Sequence, residues 1–313
     1  MIYGTGKYRY ELVEEWAKFP EGWSYIDVCG LAVDMQDSVY ALNRGEHPVI
    51  VFDREGNFLT SWGEGYFTGR PHGISIALDG SIYCTDDGNH TVSRFTPEGK
   101  LLSVLGTKDQ PSDTGYVGLP DLMESLATIK RGGPPFNRPT GVAFSASGEI
   151  YVSDGYGNAR VHKFTPEGKL LFSWGEPGDA PGEFCLPHIV RVDRQERVWV
   201  ADRENNRVQI FDAQGKFLDQ WTDLSKPSDI FIDPEETVYI SELSPRISIF
   251  TIDGKLLSRL DSEEQDKEAE QFISLHGILH DMAVDSRGDI YTGENITLSV
   301  SSTVALRKFA RVN

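Results

Sequence analysis

Cysteine is scarce in this 313-residue chain: only Cys29, Cys84 and Cys185, far apart and with no CxxC pair. That excludes a disulfide framework and fits a reducing compartment, so a cytoplasmic location is expected. Long apolar runs are missing as well. Nowhere do 18 apolar residues follow one another, which excludes a membrane-spanning helix. The opening stretch MIYGTGKYRYELVEEW has neither the apolar core nor the cleavage site of a secretory signal. Positive charge is in deficit: 30 Lys and Arg against 48 Asp and Glu leave a net −18, which disfavours nucleic acid and anionic membranes as partners. No GxSxG elbow, phosphate-binding glycine loop or dinucleotide fingerprint is present. What remains is a chain with 39% hydrophobic and 11% aromatic residues, enough for a sizeable core and against global disorder.

Internal repetition organises that core. Six segments align without gaps: VCGLAVDMQDSVYAL, PHGISIALDGSIYCT, PTGVAFSASGEIYVS, PHIVRVDRQERVWVA, PSDIFIDPEETVYIS and LHDMAVDSRGDIYTG. An aromatic residue recurs at one position of each, as Tyr40, Tyr83, Tyr151, Trp199, Tyr239 and Tyr291. Alternating apolar residues on both sides of a polar turn spell a β-hairpin, and the period of two excludes helical repeats. A third run closes on Phe52, Phe95, Phe164, Phe211, Phe250 or Phe309. In the first five units a glycine and then an apolar anchor follow it: Trp62, Leu105, Trp174, Trp221 or Leu260. Four short antiparallel strands per unit, repeated six times, predict an all-β, six-bladed β-propeller filling residues 1–313 as one domain.

The sixth unit runs out before a fourth strand, so residues 8–16 near the N-terminus are expected to supply it and to cover the open edge. Two insertions break the spacing. Residues 107–136, rich in Gly, Pro and Asp, read as a long surface loop, and 261–275, with EEQDKEAEQF, as a short acidic helix.

The start of each innermost strand carries Cys29, His72, Thr140, His188, Ser228 or His280. Histidine thus occupies blades two, four and six, which a propeller with blades about 60° apart relates by roughly 120°. Three convergent imidazoles with one open side match a catalytic zinc site; iron, nickel or copper would also accept them. The competing reading is three separately hydrogen-bonded histidines near a solvated pore. His47 is a candidate neighbour of the site, His276 a weaker competitor of His280, and Cys29 a buried thiol. His90 and His162 read as surface residues of third strands. Asp86, Asp154 and Asp202 follow second strands and are expected to accept hydrogen bonds from main-chain amides.

SDGYGNARVHKF (153–164), PGEFCLPH (181–188) and VADRENNRVQIF (200–211), with RPHGISI (70–76), LNRGEH (42–47) and LHDMAVD (279–285), resemble the peptidyl-α-hydroxyglycine α-amidating lyases, NHL-repeat six-bladed propellers. The likeness spans all six blades and is densest over 139–212. It implies His72, His188 and His280 as zinc ligands, Tyr156 as general base, Arg44 beside it holding the substrate's oxygen or carboxylate, and Arg203 binding substrate anion. It also implies a structural calcium on the main-chain carbonyls of Leu31 and Ile74 and the carboxylate of Asp281; Asp281 could alternatively support its neighbouring ligand. Two departures stand out. Gly157 takes the place of a disulfide-bonded cysteine found in the animal enzymes, and Ile278 that of a methionine.

The expected activity is cleavage of the C–N bond of an α-hydroxyglycine-type substrate, small or peptide-like, to an amide and glyoxylate. A metal-dependent hydrolase, hydratase or isomerase could use the same three histidines, and a non-catalytic NHL binding propeller is the reading from a different class.

Overall fold

The computed structural model describes residues 2–23, 25–244, 246–260, 278–296 and 304–312. The acidic helix expected over 261–275 and His276 lie outside these residues. The described chain is all-β apart from one short helix, Leu122–Leu126, and one 3-10 turn, Arg203–Asn205. Its strands form six antiparallel sheets, the six blades of a β-propeller. Two compact units divide the chain: Gly63–Pro227 holds blades two, three and four, and Met1–Trp62 with Ser228–Asn313 holds blades one, five and six.

One repeated rule builds every blade. In blade two the strands Pro71–Ile76, Ile82–Asp86, Thr91–Phe95 and Leu101–Leu105 pair in sequence order. The second strand is buried throughout and the fourth mostly exposed, so the apolar pattern fades outward. The six recurrent aromatic residues and the six phenylalanines are all buried, none more than 6% exposed. The turn between first and second strands needs a left-handed residue. Glycine supplies it at Gly80, Gly148 and Gly288, with φ of 80°, 83° and 82°. Blades one, four and five hold Asp37, Glu196 and Glu236 there instead, at φ of 60–62°. Side-chain turns steady these blades: Asp193 Oδ1 accepts from the amides of Gln195 and Arg197 at 2.9 Å.

Blade six joins the two ends of the chain. Its sheet runs Ile2–Thr5, Tyr8–Val13, Leu306–Val312, Ile290–Asn295, Ile278–Val284, with Leu12 opposite Phe309. The closing strand is therefore present, but it stops at Val13 rather than Trp16. Trp16 instead packs on Phe52 and Tyr291 and donates its indole N–H to the Arg54 carbonyl at 2.8 Å. A fifth strand, Ile2–Thr5, lies beyond it; the four-strand rule of the other blades gave no reason to expect one.

The first insertion is not a plain surface loop. Asp121 caps the helix Leu122–Leu126 by accepting from the Glu124 amide, and Leu126, Ile129 and Phe136 are buried. Phe136 joins Phe164 in an apolar cluster between blades two and three, and Leu126 and Ile129 join Leu186, just before blade four, in another. Burial of this kind comes from tertiary contact, which the composition of the loop does not disclose.

Candidate metal and substrate site

The innermost strands share one irregularity. The pairing register shifts around Cys29, His72, Thr140, His188 and His280, where a β-bulge breaks the ladder. A bulge leaves a residue out of the regular ladder and re-aims its side chain. All five of these residues, and Ser228, are at most 2% exposed.

In the unit holding blades two to four, His72 and His188 lie with ring centroids 4.7 Å apart. His72 Nδ1 stands 2.8 Å from the Thr140 carbonyl oxygen. A carbonyl only accepts, so Nδ1 carries the proton and Nε2 keeps a lone pair. This approach depends on Gly73: a Cβ there would stand 2.5 Å from the same carbonyl oxygen. Tyr156 completes the group, its hydroxyl 3.4 Å from His72 Nε2 and its ring 6.0 Å from that of His188. Arg203 Nη1 donates to the Tyr156 hydroxyl at 3.1 Å, and its guanidinium also lies over the Tyr156 ring, 5.4 Å from the centroid. Burial works against the Arg203 charge, but Tyr156 and Glu204 outweigh it and hold its pKa above the ordinary value. The phenol oxygen thus accepts from arginine while its own proton can point to His72 Nε2 or to a ligand.

The other unit holds His280, whose Nδ1 donates to the Cys29 carbonyl oxygen at 3.0 Å. Its Nε2 is by the same reasoning the lone-pair nitrogen. Leu31 donates its amide to Asp281 Oδ1 at 3.1 Å, so one oxygen of that buried carboxylate serves the neighbouring blade's backbone. Arg44 Nη1 lies 3.3 Å from Asp27 Oδ2. His47 stacks flat on Trp23, with centroids 3.4 Å apart. Burial pushes the Cys29 thiol up to about 12. Its Sγ donates to the Leu42 carbonyl oxygen at 3.4 Å, which turns the thiol to the backbone of its own blade. Within the unit of blades two to four, the buried pair His72 and His188 offers two imidazole ligands, and the other unit offers His280 at the equivalent bulge. The donor set fits a catalytic zinc, since carbonyl-fixed Nδ1–H groups on two of the rings turn Nε2 into the ligating atom.

Asp86, Asp154 and Asp202 accept from main-chain amides, as expected: from Thr68 and Gly88, from Asn137, and from Cys185 and Leu186. His162 corrects its expectation. It is fully buried, with Nε2 donating to Asp154 Oδ2 at 3.2 Å and Nδ1 2.7 Å from Ser173 Oγ. The Asp154 carboxylate, the Ser173 hydroxyl and the Phe136 ring surround it, so a third-strand position is no guide to exposure here. His90 lies in a hairpin turn with φ of 63°, half-buried, and its Nδ1 accepts from the Arg138 amide.

Sequence reasoning placed Arg44 beside Tyr156, but within its own unit the arginine on the phenol is Arg203. Arg203 follows Asp202 and Tyr156 follows Asp154 at neighbouring offsets of adjacent blades, a signal that could have paired them. The support of the Tyr156 loop had no such signal. Thr114, from the insertion, donates to the Gly157 carbonyl at 2.6 Å, and Gly157 donates its amide to Asn137.

The NHL repeat family matches residues 136–164 and 184–211. NHL repeat-containing protein 3 of Homo sapiens is 32% identical over 263 residues, 81% of this chain and 67% of that protein. The chain belongs to the NHL repeat family. It is also similar to peptidyl-alpha-hydroxyglycine alpha-amidating lyase 1 of Drosophila melanogaster, 36% identical over 117 residues, 34% of this chain and 22% of the relative. The resemblance drawn from the motifs is thereby supported, over a third of the chain. Among solved structures, a streptogramin B lyase superposes with a TM-score of 0.62 at 14% identity, covering 96% of this chain and 97% of that one, which shows the fold alone. No helix among the described residues is long and apolar enough to cross a membrane.

Proposed function

We propose that this NHL protein is a metal-dependent lyase that cleaves the C–N bond of an α-hydroxyglycine-type substrate to an amide and glyoxylate. The observation that carries the reading is the buried pair His72 and His188 with the Tyr156–Arg203 pair against His72, and His280 is assigned as the third ligand of the proposed metal. Relatives named as amidating lyases support the reaction class. Zinc held by the three Nε2 atoms would supply a Lewis acid that makes a substrate hydroxyl easier to deprotonate.

The residues then divide the work. Tyr156 gives up its own proton to act as base, and Arg203, on the phenol oxygen, offsets the negative charge left there. Tyr156 takes the substrate's hydroxyl proton. The carbon–oxygen double bond forms as the C–N pair leaves on nitrogen, which gains a proton and becomes the amide. Arg44 would hold the substrate's carboxylate, with Arg203 adding to anion binding. Leu31, Ile74 and Asp281 would hold a structural calcium. Three widely separated cysteines with no CxxC pair support a reducing compartment, and we place the protein in the cytoplasm.

Metal analysis of the purified protein, followed by assay of N-acyl-α-hydroxyglycines for glyoxylate, tests this directly. Bound metal without glyoxylate would favour a hydrolase, hydratase or isomerase on the same histidines. Absence of metal would favour a binding propeller.

A further inference from the structure

A cavity of about 320 Å³ opens in the unit of blades two to four, lined by Leu126, Ala127 and Ile129 of the insertion and by Phe184, Cys185 and Asn205 of blade four. The catalytic scheme uses none of these residues. The cavity is more than twice the roughly 150 Å³ that accommodates a benzene ring in an apolar interior. Its polar groups are already spent or peripheral. Asn205 Nδ2 donates to the Gly178 carbonyl at 2.9 Å and to Asp202 at 2.7 Å, and Asp179 is exposed. What the walls offer a ligand is apolar surface.

The cavity adjoins the proposed site in two ways. Leu126, Ile129 and Leu186 form one buried cluster, and both Tyr156 and Cys185 pack against it. The phenol and the cavity thus share a wall. The 3-10 turn Arg203–Asn205 also carries the arginine that touches Tyr156 at one end and a cavity-lining residue at the other. Two residues of such a turn rise only about 4 Å.

We propose that this cavity is a specificity pocket for one bulky apolar group, aromatic or branched aliphatic, carried on the acyl side of the scissile nitrogen. It rests on the reading of Tyr156 as the base, and it assigns the substrate class: amides of large apolar acyl groups rather than of acetate. The insertion 107–136, which stands outside the repeat, then serves as the wall that selects the substrate.

The test compares N-phenylacetyl- with N-acetyl-α-hydroxyglycine on the full chain, alongside NMR of the Leu126 and Ile129 methyl groups titrated with phenylacetamide and acetamide. Ala127 is exposed, so Ala127→Trp can fill the mouth of the cavity without burying new bulk in the core. The wild type should favour the phenylacetyl compound in kcat/KM by about tenfold to a hundredfold. Ala127→Trp should bring the ratio near one. Phenylacetamide, but not acetamide, should shift the methyl signals. A flat ratio in the wild type overturns the pocket whether or not the methyls move, and leaves the lyase reading standing. Methyl shifts that Ala127→Trp abolishes, with no glyoxylate from either compound, keep the apolar pocket and remove the reaction. Neither shifts nor glyoxylate removes both.

Discussion

Blade four and blade six follow the same strand rule and are assembled in opposite ways. Blade four is one continuous stretch, Pro187–Val192 to Phe217–Trp221, with each strand paired to the next. Its edge is pinned by Arg207, whose guanidinium meets Asp202 at 2.9 Å and the carbonyls of Asp179 and Glu183 at 2.7 and 2.8 Å. Blade six instead pairs Tyr8–Val13 with Leu306–Val312, partners separated by nearly the whole chain. Buried Tyr3, Tyr8 and Tyr10 supply part of its core from the N-terminal side. A local blade can be secured by one charged knot at a loop. A blade made from two ends depends on apolar area brought in from afar, after a long loop has been closed.

Removal of residues 1–13 should therefore have the largest effect. It strips two strands and three buried tyrosines and leaves the Leu306–Val312 edge bare. The loss expected exceeds the 3–5 kcal/mol of a single buried aromatic truncation, enough to abolish a cooperative melting transition. A melting temperature unchanged by the deletion would erase the contrast between the blades.

Next comes the metal. A His72→Ala, His188→Ala double variant should fall from about one metal per chain to almost none while far-ultraviolet circular dichroism stays β-like, because neither histidine belongs to the apolar clusters that pack neighbouring blades. Stoichiometric metal in that variant would remove the ligand assignment.

Tyr156→Phe should keep the metal and lower kcat by about 10²–10⁴-fold, the range of a proton-transfer step. Turnover at the wild-type rate would transfer the base role elsewhere.

In blade four, Arg207→Ala leaves the buried Asp202 carboxylate without its cation and should cost about 3–5 kcal/mol in denaturant unfolding. A cost under about 1 kcal/mol would mean that the Arg207 knot contributes little and that apolar packing holds blade four.

The smallest effect is chemical. Burial, with Asp202 and Glu204 adding to it, pushes the Cys185 thiol up to about 11. Since only the thiolate reacts, alkylation of Cys185 at pH 8 should run about a hundredfold slower than that of an ordinary thiol. The rate should climb tenfold per pH unit toward the shifted pKa. A plateau below pH 9 would contradict the shift.

Much of the site was legible because a repeat numbers its own positions. His72, His188 and His280 stand out only once the six segments are aligned, and the bulges explain why that register, rather than the strand pattern, aims their side chains. Leu126, Ile129 and Thr114 were not legible, since the insertion has no register to compare with. His162 was misread because a blade's third strand can face either a neighbouring blade or solvent, and alternation alone does not say which. The pairing of Tyr156 with Arg203 likewise required the turn after Asp202 to be seen folding back over the blade-three loop.

The sequence by itself determined the class of fold, the count of blades, the N-terminal closing strand and the three histidines. Each of these is a local pattern repeated often enough to be read by comparison within the chain. Tertiary structure alone decided the fifth strand of blade six, the arginine that meets Tyr156, and the apolar cavity walled by the insertion. These depend on which surfaces meet across tens to hundreds of residues, and local periodicity carries no information about such meetings.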